Sequence, residues 1–424
     1  MGKAVLIYSS SKLYGGTEEL FSNVGIGLSS EGYYVDIFES SGNTIIEDTI
    51  LRRSNCEFSG CFIARDKFSN RIYDIALVSS KDLVSFSKLI KFKNIKVAKV
   101  LIWQLQPNEL ICQFLPFANY VGNKLPSFLV GVYKYIFSQR LRTAREAVKN
   151  LTENNALWFM DGANKDSSED WFDCEFQPNY LPICARFSLS LDLNRRMFDT
   201  NELNVYCLGR ISSDFKIYPN INLVESLADF ASKNKIKIHL KFIGDGDAES
   251  KLQNFCEQFN SEYIRFTFYG FKILEQACSL IIQDADVVFA MGTSALNCAS
   301  CKVPVVLLDA YSSKYNFTEV KYLWLYETSN FSVGRSILKA NYFEGKNIAA
   351  ILTELTSNHK EIAEKCFSYV KMHHSEDSVI ARVERSFCKV DCNSELLNEI
   401  VNEVVKKQAY IVFFIMNLYG LFKK

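Results

Sequence analysis

Residues 203–216 read LNVYCLGRISSDFK, an apolar run that stops abruptly at Gly209 and Arg210. Val205 to Leu208 is predicted as a buried strand, and Ile221 to Ser232 as the helix after it. The pair then repeats. Ile238 to Ile243 is a strand, Glu249 to Phe259 a helix, Ile264 to Tyr269 a strand and Ile273 to Gln283 a helix. Val287 to Ala290 is a strand, Ser294 to Cys301 a helix and Val303 to Leu308 a strand. Fully apolar strands separated by helices predict a parallel sheet covered on both faces. Working outward, the first half shows the same alternation. Lys3 to Tyr8, Tyr34 to Phe38, Asp74 to Val78, Val100 to Trp103 and Ala156 to Met160 read as strands, with Leu20, Val24 and Leu28 at helical spacing. The pattern breaks between Arg186 and Asn204, in a polar stretch with Asp192, Asn194, Arg195 and Arg196. The expected organisation is therefore α/β, with two Rossmann-like, doubly wound domains at 1–186 and 187–385 and a helical tail at 386–424. Such sheets are expected to face a cleft and to bind ligands at the carboxyl ends of their strands.

Composition agrees with two or more cores. A chain of 424 residues exceeds the ~150 of one ordinary domain. Lys plus Arg and Asp plus Glu are equal at 48 each, so there is no global basic field and no nucleic-acid partner is expected. The cysteines include three close pairs, Cys56/Cys61, Cys298/Cys301 and Cys388/Cys392, but His239, His359, His373 and His374 lie near none of them. No zinc site is expected from that spacing. The most apolar segment, Ala409 to Phe422, falls short of the ~18 unbroken residues of a membrane span and contains Asn417. With no secretory leader in the opening residues, the expected location is cytoplasmic, with peripheral contact on the inner face of the membrane as an option.

Several segments carry a resemblance. Val205 to Arg210 with Lys216, Phe242-Ile-Gly-Asp-Gly246, Phe268-Tyr-Gly270, Asp284 to Leu296 and Val303-Pro-Val-Val306 occur in an order and spacing similar to GT-B glycosyltransferases. Within that fold the segments resemble the group 1, family 4-like enzymes of bacterial surface polysaccharides. Tyr14-Gly-Gly-Thr-Glu18 resembles the first glycine loop of that family. The resemblance implies a metal-independent enzyme without a cofactor, which moves a sugar from a nucleoside-diphosphate donor to a glycan. The implied acceptor is lipid-linked. The implied donor contacts are Gly15, Gly16, Arg210, Lys216, Gly244, Asp245, Tyr269, Gly270, Gly292, Thr293, Ser294 and Asn297. Physics supports the cations and the helix start. A departing diphosphate needs fixed positive charge and backbone N–H groups aimed at it. Arg210 and Lys216 follow a strand, where a guanidinium fork and a point charge can converge, although such residues are more often solvated. Gly292 allows close backbone approach, and Thr293 or Ser294 is expected to cap the next helix. Asp247, in the Gly244 to Asp247 turn, reads as structural.

Departures from the family pattern matter. Asn297 stands where members commonly carry a ribose-binding glutamate, and Ala290 where many carry a second one. The first half has no histidine, so Gln104 in Trp103-Gln-Leu-Gln-Pro-Asn-Glu109 is the expected polar stand-in near the sugar. Glu18, Glu109 and Asp161 are the candidates for a general base, each also of a type used for caps and surfaces. The stereochemical outcome stays open. So do two rival readings: a catalytically degenerate relative acting as a partner or scaffold, and an epimerase on the same fold. Phe128 to Phe137, with Lys134, Arg140, Arg142 and Arg145, is apolar and basic, and Lys406-Lys407 and Lys423-Lys424 flank the tail. Both suit a membrane interface, and a tail helix packed on the first domain suits the same sequence.

Overall fold

The computed structural model describes residues 3–10, 16–42, 44–53, 58–63, 68–116, 118, 127–187, 197–337 and 342–405. The chain divides into two compact units. One holds residues 1–182 and 379–424, and the other holds residues 183–378.

The first unit is built on a six-stranded parallel sheet in the order β3-β2-β1-β4-β5-β6. Its elements run β1 (Ala4–Ser9), α1 (Gly16–Ser30), β2 (Tyr34–Glu39), α2 (Ile45–Arg53), β3 (Gly60–Phe62) and β4 (Ile72–Ser79). A 3₁₀ turn at Ser80–Asp82 leads into α3 (Leu83–Phe92), β5 (Lys96–Gln104), α4 (Glu109–Phe114) and α5 (Ser127–Ile136). Then come α6 (Ser138–Glu153), β6 (Leu157–Phe159) and α7 (Gly162–Phe172). The physical reason is visible in burial. Val5, Leu6 and Ile7 of β1 and Val100 to Trp103 of β5 are closed from solvent on both faces, and Leu20, Val24 and Leu28 press α1 onto the sheet. Each such side chain contributes about 1.5–3 kcal/mol by leaving water.

The second unit repeats the plan with β7 (Glu202–Leu208), α8 (Ile217–Asn234), β8 (Lys237–Ile243), α9 (Glu249–Glu257), β9 (Ile264–Phe268) and α10 (Leu274–Asp284). It continues through β10 (Val287–Ala290), α11 (Thr293–Ser300), β11 (Val305–Leu307), β12 (Leu323–Trp324) and α12 (Ile348–His374). The strand order is β12-β11-β10-β7-β8-β9, parallel except for the antiparallel edge strand β12.

The unit boundaries differ from the sequence expectation. The first division falls at Pro182/Ile183 rather than 186/187. The second falls at Ser378/Val379, within the first turn of α13 (Glu376–Lys389), rather than at 385/386. Residues 379–385 therefore pack with the first unit. Val379, Ile380 and Val383 of α13 are buried, and a further helix at 394–405 buries Leu397, Ile400, Val401 and Val404. These C-terminal residues complete β5: Val100 N–H donates to Cys392 O at 2.8 Å and Val97 N–H to Ser394 Oγ at 3.1 Å. The expected tail segment Ala409 to Phe422 lies outside the described residues.

Gly27 marks where α13 seats on α1. A β-carbon there would stand 2.5 Å from Ile380 Cγ1. Gly27→Val should destabilise the protein by about 1–3 kcal/mol through overpacking, and Ile380→Ala should recover part of that loss in the double variant. Urea denaturation of the four proteins measures it, and strictly additive losses would contradict this seating.

Candidate functional site

The carboxyl edge of the second sheet gathers most of the expected donor residues. Strand β7 ends at Leu208, and the turn after it carries Gly209 and Arg210. A β-carbon built on Gly209 would lie 3.9 Å from Lys216 Nζ and 4.0 Å from Ser294 Oγ, so the β7 loop and the start of α11 converge on one point. Around it opens a small depression lined by Gly209, Arg210, Lys216, Asn220, Met291 and Leu308 among others.

Glycine makes this convergence possible. Gly244 has φ +137°, and a β-carbon on it would come within 2.1 Å of Gly209 O. Its N–H donates to Gly270 O at 2.9 Å, while Ile211 N–H donates to Asp245 O at 2.7 Å. The loops after β7, β8 and β9 are thus zipped through backbone. Asp245 itself is exposed. Asp247 accepts from Ser213 N–H at 3.0 Å and from the Ser213 hydroxyl, a turn-closing task. Tyr269 stacks parallel to Tyr206 at 6.4 Å, which places Gly270 beside Gly244.

The start of α11 differs from the expected cap. Gly292 is the N-cap, with φ +63°, and no side chain caps the helix; neither Thr293 nor Ser294 does so. A glycine can take this left-handed conformation at little cost. Gly292 N–H donates to Val333 O at 2.7 Å. That segment is held by a fork the sequence reading missed: Arg335 Nε and Nη2 bond Asp309 at 3.1 and 2.6 Å, and Arg335 N–H does so at 2.8 Å. A partly exposed Thr293-Ser294 turn with the positive end of a helix dipole behind it suits an anion.

Two cations, Arg210 and Lys216, stand at this edge. The Arg210 side chain is 62% exposed and stands 3.6 Å from Asp214. Burial, and then the neighbouring Arg210, hold the Lys216 ammonium below the usual lysine range, with Asp214 opposing. Two like charges, one of them largely desolvated, gain most from a bound anion.

Other expected residues have different work. Asn297 Oδ1 accepts from Arg186 N–H at 3.0 Å, so its carbonyl tethers the start of the second unit. Gln104 is fully buried, and its amide donates to Gln106 O, Pro107 O and Ser168 Oγ at 3.2, 3.2 and 2.9 Å. It braces the loop after β5 and is closed to a sugar. Gly16 opens α1 with free space around it, and Gly15 lies outside the described residues.

The three carboxylates considered as bases are buried in the first unit. Two of them meet at the 3₁₀ turn after β4, which holds the starts of α1 and α4 and the residue after β1 with three consecutive side chains. Ser80 Oγ donates to Glu109 at 2.6 Å, Lys81 Nζ to Glu18 at 3.1 Å, and Asp82 accepts from Ser10 N–H at 3.2 Å and from its hydroxyl. Burial pushes the Glu109 and Asp82 carboxyls above their usual range, against those hydrogen bonds. Asp161 is elsewhere, as the N-cap of α7, accepting from Asn164 N–H at 2.8 Å. Among the described residues no group of three His, Cys, Asp or Glu is placed to hold a metal ion. No helix of the described residues is long and apolar enough to cross a membrane.

Gly244→Ala tests the zipped loops. The left-handed backbone and the collision with Gly209 O should lower stability by more than about 1 kcal/mol. An unchanged urea midpoint would mean that the loops do not approach this closely.

No family model and no curated protein matches the sequence. Solved structures do. Anabaena HepE in complex with UDP-glucose superposes with a TM-score of 0.52 at 13% identity, covering 91% of this chain and 99% of that one. A Staphylococcus aureus TarM variant with fondaparinux, alpha-GlcNAc-glycerol and UDP gives 0.50 at 12%, covering 91% and 99%. The N-terminal domain of Candida albicans trehalose-6-phosphate phosphatase gives 0.52 at 11%, covering 92% and 97%. At such identities the likeness speaks to architecture, and it is specific there: this chain has the GT-B fold, two Rossmann-like units with a helical C-terminal part.

Proposed function

We propose that the protein is a glycosyltransferase that takes a sugar from a nucleoside-diphosphate donor held at the carboxyl edge of the second unit. The observation that carries this reading is the convergence of Lys216 Nζ and Ser294 Oγ on Gly209, with Arg210 beside them. In transfer, the bond from the anomeric carbon to the diphosphate breaks and the leaving oxygen takes up negative charge. Arg210, Lys216 and the first amides of α11 are the groups to stabilise that charge, in the role a metal ion would otherwise fill. The UDP and UDP-glucose in the TarM and HepE structures make UDP the first donor nucleotide to test. A glycan acceptor, lipid-linked and met at the cytoplasmic face of a membrane, completes the proposal. Its support is the resemblance to surface-polysaccharide enzymes together with the two basic, aromatic segments.

A second reading has one observation behind it. Asn297 spends its carbonyl on the Arg186 amide, and Ala290 is buried in β10, so neither glutamate of the family pattern has a substitute there. A nucleotide-binding partner protein without transfer activity fits that feature. Release of UDP from UDP-sugars by the purified protein, with or without acceptor, speaks for the enzyme.

Arg210→Ala and Lys216→Ala should each weaken UDP binding by about 1.5–3 kcal/mol while leaving uridine binding nearly unchanged. Equal losses for both ligands in calorimetry would remove these residues from the phosphate site.

The depressed Lys216 also sets a pH dependence. Lys216 releases its proton below the range of a free lysine, and a bound diphosphate favours the protonated form. UDP affinity should therefore be flat near neutrality and fall as the pH rises towards 10.5, with proton uptake on binding. Calorimetry in buffers of different ionisation enthalpy reads the uptake, which Lys216→Met should abolish.

A further inference from the structure

Asn220 is a buried amide at a place where apolar anchors already suffice. It stands in the first turn of α8, and Ile217, Ile221 and Val224 around it seat that helix by their own burial. A polar side chain withdrawn from water costs stability unless its hydrogen bonds are made. Here they are made on both sides. The Cys207 thiol of β7 donates to Asn220 Oδ1 at 2.9 Å, and Asn220 Nδ2–H donates to the Lys216 carbonyl at 3.0 Å. A carbonyl can only accept, which fixes the orientation of the amide. Burial pushes the Cys207 thiol up to about 12, so it keeps the proton that it donates.

The turn at Lys216 has little else to hold it. Lys216 is the N-cap of α8, and no side chain caps that helix. The first helical bond, from Asn220 N–H to the Lys216 carbonyl, is long at 3.4 Å, and Pro219 has no N–H to give. The side-chain amide supplies the shorter bond and ties Lys216 back to β7, the strand that delivers Gly209 and Arg210. Cys207 and Asn220 line the same depression as Lys216. The Lys216 ammonium faces Arg210, Asp214 and Cys207, and it lies 5.9 Å from the centre of the Phe215 ring.

We propose that Asn220 is a positioning residue for the diphosphate site: by bridging Cys207 and Lys216 it keeps the lysine ammonium over the Gly209 turn instead of out in water. The inference rests on the donor reading and extends it to a residue behind the charge. A lysine on a loosened turn would regain its hydration, and a diphosphate would then meet a cation that has still to be ordered.

Asn220→Leu keeps the volume and removes the bridge. It should weaken UDP binding about fivefold while leaving uridine binding unchanged. In the UDP-free protein, the Lys216 titration, followed by NMR of labelled lysine side chains, should move up towards the ordinary lysine value. Cys207→Ala should share the loss of affinity and add little to it in the double variant, whereas Cys207→Ser keeps a donor for Asn220 and should restore parental binding. Should Asn220→Leu fail to fold, the Cys207→Ala and Cys207→Ser pair makes the same comparison. An unmoved Lys216 titration in folded Asn220→Leu would overturn the proposal, and a lowered melting temperature beside it would make Asn220 a packing residue only. So would equal UDP affinity in Cys207→Ala and Cys207→Ser. A parent that binds no UDP would instead sink the donor reading, and the Lys216 titration would still decide on Asn220.

Discussion

The second unit depends on one close approach, that of the Gly244 backbone to the Gly209 carbonyl. A parallel sheet delivers its loops to a single edge, but it does not decide how tightly they pack there. With side chains absent at both positions, the β7 and β8 loops lock through main-chain hydrogen bonds. Arg210 and Lys216 then leave from a fixed base, and the turn at Gly292 is held independently by the Asp309–Arg335 fork. Two rigid supports, one on either side of β7 and β10, are what preorganised charge requires.

The two units use polar groups at their carboxyl edges in opposite ways. In the first, Glu18, Asp82 and Glu109 are drawn inward and each is bonded to another loop. Their charge serves cohesion. In the second, Arg210 is opposed by the exposed carboxylates Asp214 and Asp247, while Lys216 is largely withdrawn from water beside it. An anion is therefore attracted to the second edge, whereas the carboxylates of the first are already engaged.

Much of the architecture was legible because it follows from periodicity. Leu20, Val24 and Leu28 announce α1, and the runs at 205–208 and 287–290 announce two central strands before any contact is known. The short edge strands β3 and β12 were not legible, since two or three residues carry no period. Side-chain roles divided by the distance to their partners. Asp161 works three residues away, within reach of a cap rule. Gln104 pairs with Ser168 and Asn297 with Arg186, 64 and 111 positions apart, so both looked available for a ligand. The Ser80-Lys81-Asp82 turn was passed over for the same reason, as nothing in those three residues alone names Glu109, Glu18 and Ser10.

The return of the chain to the first unit at Val379 has a consequence for how the protein is made. Unit one emerges from the ribosome as far as Pro182, and then waits for roughly 200 residues of unit two before its last helices arrive. At 5–20 residues per second that delay is about 10–40 s. Throughout it the groove at Gly27 is empty, and the Val97 and Val100 amides lack the Ser394 and Cys392 oxygens that later receive them. The contiguous second unit can finish first, although it is translated later. Nascent chains of this protein thus carry a first unit without its last helices for nearly half of their synthesis, with the surface around Gly27 uncovered meanwhile.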